Sequence, residues 1–280
     1  MNALEIHNLI KQRRDFTLHI DELTLPGGCI MGLIGENGAG KSTTIQLILG
    51  SLRRDGGTIS VLGSNDVALV KQDLGVVLDE VGFHDFFTAK QIGRIMADIF
   101  TRWDDTLYQQ YLKRFSLPGE KAFKEFSRGM KMKLALSVAL SHGAKLLLLD
   151  EATSGLDPMV RDEILDVFND FTREEDHSII LSSHIVSDLE KICDYICFLH
   201  RGRLVLFEEK DRLLEEYALV KLSVPQLEEV AEQAIAGKKL TPYGAEALVR
   251  REHMPAGFVF EHTSLEDIIL FLAQEGEEKK

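Results

Sequence analysis

Eight consecutive residues, Gly35-Glu36-Asn37-Gly38-Ala39-Gly40-Lys41-Ser42, have the composition of a loop that wraps a phosphate. The G-x-x-x-x-G-K-[ST] spacing lets backbone N–H groups approach phosphate oxygens in conformations that side chains would block. Lys41 would reach the β- and γ-phosphates of a nucleoside triphosphate, and the Ser42 hydroxyl would ligate Mg2+. A second constellation, Leu146-Leu147-Leu148-Leu149-Asp150-Glu151, ends an apolar run in two carboxylates. Asp150, at the carboxyl end of a buried strand, sits where parallel sheets bind ligands and would hold Mg2+ directly or through water. Glu151 points elsewhere and can polarise a water for in-line attack on the γ-phosphorus. Taken singly, these are a glycine-rich turn and two solvated acids. The strand that enters the loop and the helix that leaves it over 43–50 favour the chemical reading.

The elements that must position these residues follow from the hydrophobic pattern. Residues 29–34, 75–78, 145–149, 177–181 and 194–199 read as buried strands, and segments near 41–50, 88–115, 130–142, 158–175 and 184–193 as helices. Four leucines without polar alternation suit a strand covered on both faces of a parallel sheet, which implies an α/β fold. Near the start, Phe16, Leu18 and Ile20 alternate with polar residues before a Pro26-Gly27-Gly28 turn. This predicts an antiparallel ribbon beside the main sheet. After about residue 215 the pattern changes: a strand over 220–224, an acidic helix over 225–236, a strand over 258–260 and an amphipathic helix over 265–272 form a small α+β appendage. Ser264 with Asp267, or Thr263 with Glu266, would cap that last helix. Residues 275–280 are expected to fray.

Composition narrows the classes. The chain has 280 residues, 45% hydrophobic and 28% charged, and suits one large domain or a domain with an appendage. No apolar stretch is long enough to span a bilayer, and the first residues do not resemble a secretory signal. A net charge of −13 opposes coating of nucleic acid or anionic lipid. Cys29, Cys193 and Cys197 are too few and scattered for a disulfide scaffold and read as core thiols in a reducing compartment.

Three further segments give the two constellations a family. Phe126-Ser127-Arg128-Gly129-Met130 precedes the four leucines, Ser154-Gly155-Leu156-Asp157 follows them, and His184 closes the next strand. In this order, across about residues 1–210, the motifs resemble the ATP-binding cassette (ABC) family. The resemblance implies a P-loop NTPase cassette over 1–215. Its parts would be a mostly parallel sheet, an N-terminal antiparallel β subdomain and a helical signature subdomain at about 82–142, with 216–280 as the appendage. It also implies an ATPase that uses ATP and Mg2+ and works as a head-to-tail dimer, homomeric or heteromeric. Each ATP would lie between the P-loop of one subunit (Gly35, Asn37, Gly38, Ala39, Gly40, Lys41, Ser42, Thr43) and the signature of the other. Ser127, Arg128 and Gly129 would meet the partner's ATP, Asp157 would link the two sites, and Glu151 and His184 would be catalytic.

The chain departs from the family pattern in three places. Arg128 and Met130 replace a glycine and a glutamine of the signature; Arg128 would strengthen γ-phosphate binding, restrict the backbone, or face solvent. Asp79 stands where the family has a glutamine; a carboxylate can ligate Mg2+ or its waters but cannot donate as an amide does. Asp79 is therefore expected in the metal shell. No aromatic occupies the usual adenine-stacking place near Arg13, so Arg13 or Phe16 would take that role. Phe83, His84 and Phe86 are the expected contacts for a membrane subunit. The resemblance thus implies the ATPase subunit of an exporter of drugs, antimicrobial peptides or similar amphiphiles. It would be cytoplasmic and peripheral on the inner face of the membrane, driving a separate integral permease, with no nucleic acid partner and no insertion of its own. The alternatives are a soluble non-transport ABC ATPase and a regulatory nucleotide-binding module.

Overall fold

Leu146–Asp150 and Ser178–Ser182 are buried along their whole length, as strands covered on both faces must be. The computed structural model describes residues 1–242 and 244–278, the last four of these as backbone only. In chain order it contains β1 (Asn2–Arg13), β2 (Phe16–Pro26), β3 (Ile30–Ile34), α1 (Lys41–Ile48), β4 (Gly56–Val61), β5 (Leu74–Val77), α2 (Ala89–Ile99) and α3 (Asp105–Arg114). Next come α4 (Arg128–Leu140), β6 (Leu146–Asp150), α5 (Pro158–Phe171), β7 (Ser178–Ser182), α6 (Val186–Ile192), β8 (Tyr195–His200) and β9 (Arg203–Glu209). The chain ends with α7 (Lys210–Glu216), β10 (Tyr217–Leu222), α8 (Val224–Glu229), β11 (Ile235–Thr241), β12 (Gly244–Arg250) and α9 (Leu265–Glu278).

Nine strands form one sheet in the order β4-β1-β2-β9-β8-β3-β7-β6-β5. Its centre, β8-β3-β7-β6-β5, is parallel. The N-terminal ribbon is antiparallel, with β1 between β2 and β4; β2 meets β9 through one parallel pair, His19 with Arg203, and β9 runs antiparallel to β8. Side chains alternate between two cores. Leu147, Leu149, Ile179 and Leu181 face the layer that includes α4 and α5, whereas Leu146, Leu148 and Ile180 face α1 and the ribbon. Cys193 and Cys197 are buried within these cores and all three thiols are free.

Several boundaries differ from the sequence expectation, each for a local reason. The helix expected over 88–115 is two helices. Thr88 and Gln91 form a capping box for α2, and the Asp104 carboxylate accepts from Leu107 N–H to begin α3. The acidic helix expected over 225–236 stops at Glu229 and gives way to β11, so the appendage is built on a three-stranded antiparallel sheet, β10-β12-β11. Residues 258–260 are not a strand; Glu261 makes a single bridge to Leu219. Ser264 and Asp267 cap α9 reciprocally, while the Thr263 hydroxyl accepts from Leu219 N–H and ties the helix to β10. α9 extends to Glu278, and of the residues expected to fray, Lys279 and Lys280 lie outside the described residues.

The C-terminal helix shares core with the layer that covers the main sheet. Leu265, Ile268 and Phe271 of α9 join the cluster that holds Leu189 and Ile192 of α6, and Leu265 N–H donates to the Glu190 carboxylate at 3.3 Å. Among the described residues no helix is long and apolar enough to cross a membrane.

Because Leu148 is fully buried in the second strand from the sheet's edge, Leu148→Ala leaves a cavity that the flanking strands cannot fill. It should lower unfolding free energy by about 2–5 kcal/mol, read as a fall in the urea midpoint at unchanged slope.

Candidate functional site

The carboxyl ends of the parallel strands converge on one open cleft of about 770 Å3. It is lined by Arg13, Asp15 and Phe16 of the ribbon's turn, by the loop and helix residues Glu36, Asn37, Gly38, Gly40, Lys41, Ser42 and Thr43, and by Asp79, Arg128, Glu151, Ser154 and His184. The fully buried β3 delivers Gly35 so close to β8 that a Cβ there would lie 2.4 Å from the Leu199 carbonyl oxygen. Gly40 has φ +113° and precedes α1 without a side-chain cap. The first N–H groups of α1 thus reach the cleft at the positive end of the helix dipole, an arrangement that suits an anion.

Lys41 is only 6% exposed. Its ammonium donates to Gly35 O at 2.7 Å and lies 3.6 Å from Glu151 Oε1, so its charge is not left unpaired. Glu151 Oε2 lies 2.7 Å from Nδ1 of His184, whose side chain is 53% exposed. Lys41, Glu151 and His184, from three separate segments, therefore form one polar chain along the cleft floor. Glu151 itself has φ +53°. That left-handed conformation costs a non-glycine residue about 1–2 kcal/mol and turns its side chain away from that of Asp150. Its N–H donates to Ser182 O at 3.1 Å, which helps to hold it there.

Asp150 is buried at the end of β6, where Ser182 Oγ donates to its Oδ1 at 2.5 Å and also accepts from Glu151 N–H at 3.1 Å. Sequence reasoning missed Ser182. The available signal was a Ser182-Ser183 pair ending an otherwise apolar strand. It also missed Glu36, which accepts from Arg201 N–H and lies 3.1 Å from His200 Nδ1, tying the glycine-rich loop to the β8–β9 turn. Burial works to raise the Glu36 pKa, but its own N–H, that of Arg201 and the His200 side chain outweigh it and hold the carboxyl below its usual range. No local pattern reveals a contact across so many intervening residues.

The remaining candidates divide. Arg13 and Phe16 face each other across the ribbon's turn, and both line the cleft. The Phe16 ring packs on Gly40, where an added Cβ would meet its Cζ at 3.0 Å. Ala39 is buried behind the loop, with its N–H donating to Glu36 O. The Asp79 carboxylate is paired with Arg128, a partner the sequence did not announce. Ser127, Gly129 and Asp157 do not line this cleft. Ser127 Oγ accepts from Met130 N–H to cap α4, and the exposed Asp157 caps α5 by accepting from Val160 N–H.

A buried strand, a glycine-rich turn, a helix N-terminus bearing Lys41 and an acidic strand end together define an α/β P-loop nucleotide-binding protein. A family model described as ABC transporter matches residues 18–154. The ABC transporter ATP-binding protein YtrB of Bacillus subtilis (strain 168) is 34% identical over 203 residues, spanning 72% of this chain and 70% of that protein. The bacitracin transport ATP-binding protein BcrA of Enterococcus faecalis is 32% identical over 210 residues, spanning 72% and 68%. A solved structure described as the ATP binding subunit of an ABC transporter superposes with a TM-score of 0.68 at 26% identity, covering 75% of this chain and 91% of that one. The chain belongs to the ABC transporter family, as an ATP-binding subunit with ATPase activity coupled to transport.

Ser182→Ala removes the one hydroxyl that bridges the Asp150 carboxylate and the Glu151 N–H. Loss of a donor to a buried carboxylate should cost about 1–3 kcal/mol, measured by chemical denaturation of the purified variant. An unchanged denaturation midpoint would show that water replaces the hydroxyl without penalty.

Proposed function

We propose that this chain powers an exporter of drugs, antimicrobial peptides or similar amphiphiles by closing on ATP as a head-to-tail dimer, homomeric or heteromeric, beneath a separate integral permease. The observation that carries the ATPase mechanism is the Lys41–Glu151–His184 chain in a cleft headed by an uncapped helix N-terminus. The bacitracin transport function of a similar protein supports the amphiphile class.

Gly35, Asn37, Gly38, Ala39 and Gly40 would shape the phosphate cradle, in which backbone N–H groups of the loop and of Lys41, Ser42 and Thr43 surround the anion. Lys41 would exchange its carbonyl partner for phosphate oxygens. Arg13 or Phe16 would take the adenine. Mg2+ suits the hard oxygen donors of Ser42 and Asp150, with Asp79 a further candidate. No group of three or more His, Cys, Asp or Glu side chains poised for a metal occurs among the described residues. Mg2+ beside a nucleotide is commonly held by one or two protein oxygens together with the phosphates. When bound, it would neutralise charge that develops on the transferred phosphoryl group. Glu151 would orient and polarise the attacking water, and His184 would hold the Glu151 carboxylate and the γ-phosphate in register.

Ser127, Gly129 and Asp157 lie outside the cleft at the starts of α4 and α5, and Arg128 opens α4 within it, which suits contact with the ATP of a second subunit. Phe86 is exposed and Phe87 partly so, with Lys124 over the Phe86 ring and His84 within 5.7 Å of the Phe86 ring centre and 5.1 Å of that of Phe87. Phe83 is packed edge-on against Phe123 in the core. We assign this patch to the permease. The protein would accordingly sit on the inner face of the membrane through its partner, without inserting.

Glu151→Gln should bind ATP but lose turnover by about two to four orders of magnitude, the usual share of a general base. Lys41→Ala should fail at nucleotide binding itself. Steady-state hydrolysis and ATP-analogue titration separate the two, and full turnover in Glu151→Gln would reject the base. For the transporter reading, the tagged chain should co-purify with an integral protein from detergent-solubilised membranes. Recovery only from the soluble fraction, alone, would reject it.

A further inference from the structure

Two of the sequence's departures from the family pattern meet in space. Arg128 Nη2 donates to Asp79 Oδ1 at 2.8 Å, and 49 positions separate the two residues. Asp79 follows the end of β5, on the central sheet, and Arg128 opens α4 directly after the Ser127 cap. The guanidinium also lies along Gly155: a Cβ added there would stand 3.4 Å from Arg128 Cζ and Nε. Asp79, Arg128 and Ser154 line the same cleft as Lys41, Glu151 and His184. Arg128 thus joins the signature helix to two strand-end segments of its own subunit.

The chemistry of this contact is competitive. A guanidinium binds carboxylate and phosphate with the same planar fork of donors. Each side chain of the pair is 53% exposed, so water screens the attraction and the bond is weak enough to be exchanged. A triphosphate carries more charge than one carboxylate and offers several oxygens.

We propose that Asp79 and Arg128 form a tether within the ATP-free subunit that withholds Arg128 from the ATP of the partner, and so sets the nucleotide concentration at which the dimer closes. The glutamine-to-aspartate and glycine-to-arginine departures then belong together: the arginine adds a phosphate contact, and the aspartate restrains it until ATP arrives. Binding of ATP costs the rupture of the pair and recovers a contact with γ-phosphate. A ligand shifts an equilibrium by the difference between the contacts it meets in each state, and the tether subtracts from that difference. This inference rests on the head-to-tail reading given above.

The test uses the full chain carrying Glu151→Gln, so that ATP persists. Its dimer formation is followed by analytical ultracentrifugation against ATP at saturating Mg2+. Adding Asp79→Asn should lower the half-saturating ATP concentration by about 1.4- to 5-fold, the factor that an exposed ion pair of ordinary strength sets. Arg128→Gln should raise it, and in the Arg128→Gln background Asp79→Asn should change nothing further. At about 1 M salt, where the screening length is only about 3 Å, the effect of Asp79→Asn should shrink. An unmoved half-saturation, or an equal shift in both backgrounds, would overturn the tether. So would a changed Mg2+ requirement in both backgrounds, which is the signature of Asp79 acting on the metal alone. A parent protein that binds ATP yet stays monomeric would overturn the head-to-tail reading, whereas a dimer whose ATP requirement ignores Asp79 would overturn the tether only.

Discussion

The register of three central parallel strands sets the chemistry of this molecule. Leu33 of β3 pairs with Ser182 of β7, and Ser182 in turn pairs with Asp150 of β6. That one level of the sheet brings the entry to the glycine-rich loop, the bridging hydroxyl and the buried carboxylate to the same edge. Successive residues of a strand face opposite sides, so a slip of one position would turn the acid end of β6 away from the loop. Leucines on both faces do not by themselves oppose that slip. The buried Asp150 does, because only the observed register lets it accept from Ser182 Oγ.

Charge in the cleft is managed locally. The whole chain carries −13, yet Arg13, Lys41 and Arg128 all line the cleft that awaits a polyanion. Lys41 is partnered with Gly35 O and Glu151, and Arg128 with Asp79. A buried ammonium without such partners would carry a heavy desolvation cost, which Gly35 O and Glu151 offset. Net charge governs long-range encounter, whereas backbone dipoles and a few paired cations govern what fits the cradle. The left-handed backbone at Glu151 belongs to the same arrangement: Asp150 meets Ser182, while Glu151 meets Lys41 and His184.

How much was legible can be traced residue by residue. The cleft's central residues carry their own signal, because a phosphate cradle demands glycines, a lysine and a helix start in immediate succession. Buried parallel strands announce themselves through uninterrupted leucines and isoleucines. Legibility failed where tertiary partners overrode local preference. Residues 230–236 look like the continuation of an acidic helix, yet β11 forms because β12 offers it an antiparallel partner and α9 covers it. The break between α2 and α3 is signalled by Asp104, whose capping role competes with an otherwise helical pattern. Strand β9 was not foreseen because its half-buried residues lack a long apolar run, and its place is set by pairing with β8.

The class of chemistry is written locally, since G-x-x-x-x-G-K-S followed by a leucine run ending in Asp150-Glu151 is a code for a bound phosphate. That Ser182 joins the two acids, that Glu36 fastens the loop to the β8–β9 turn, and that Asp79 answers Arg128 emerge with folding. Motif residues act through backbone geometry that neighbours in sequence dictate, whereas these contacts join residues far apart in the chain and exist only once the sheet's order and register bring them together.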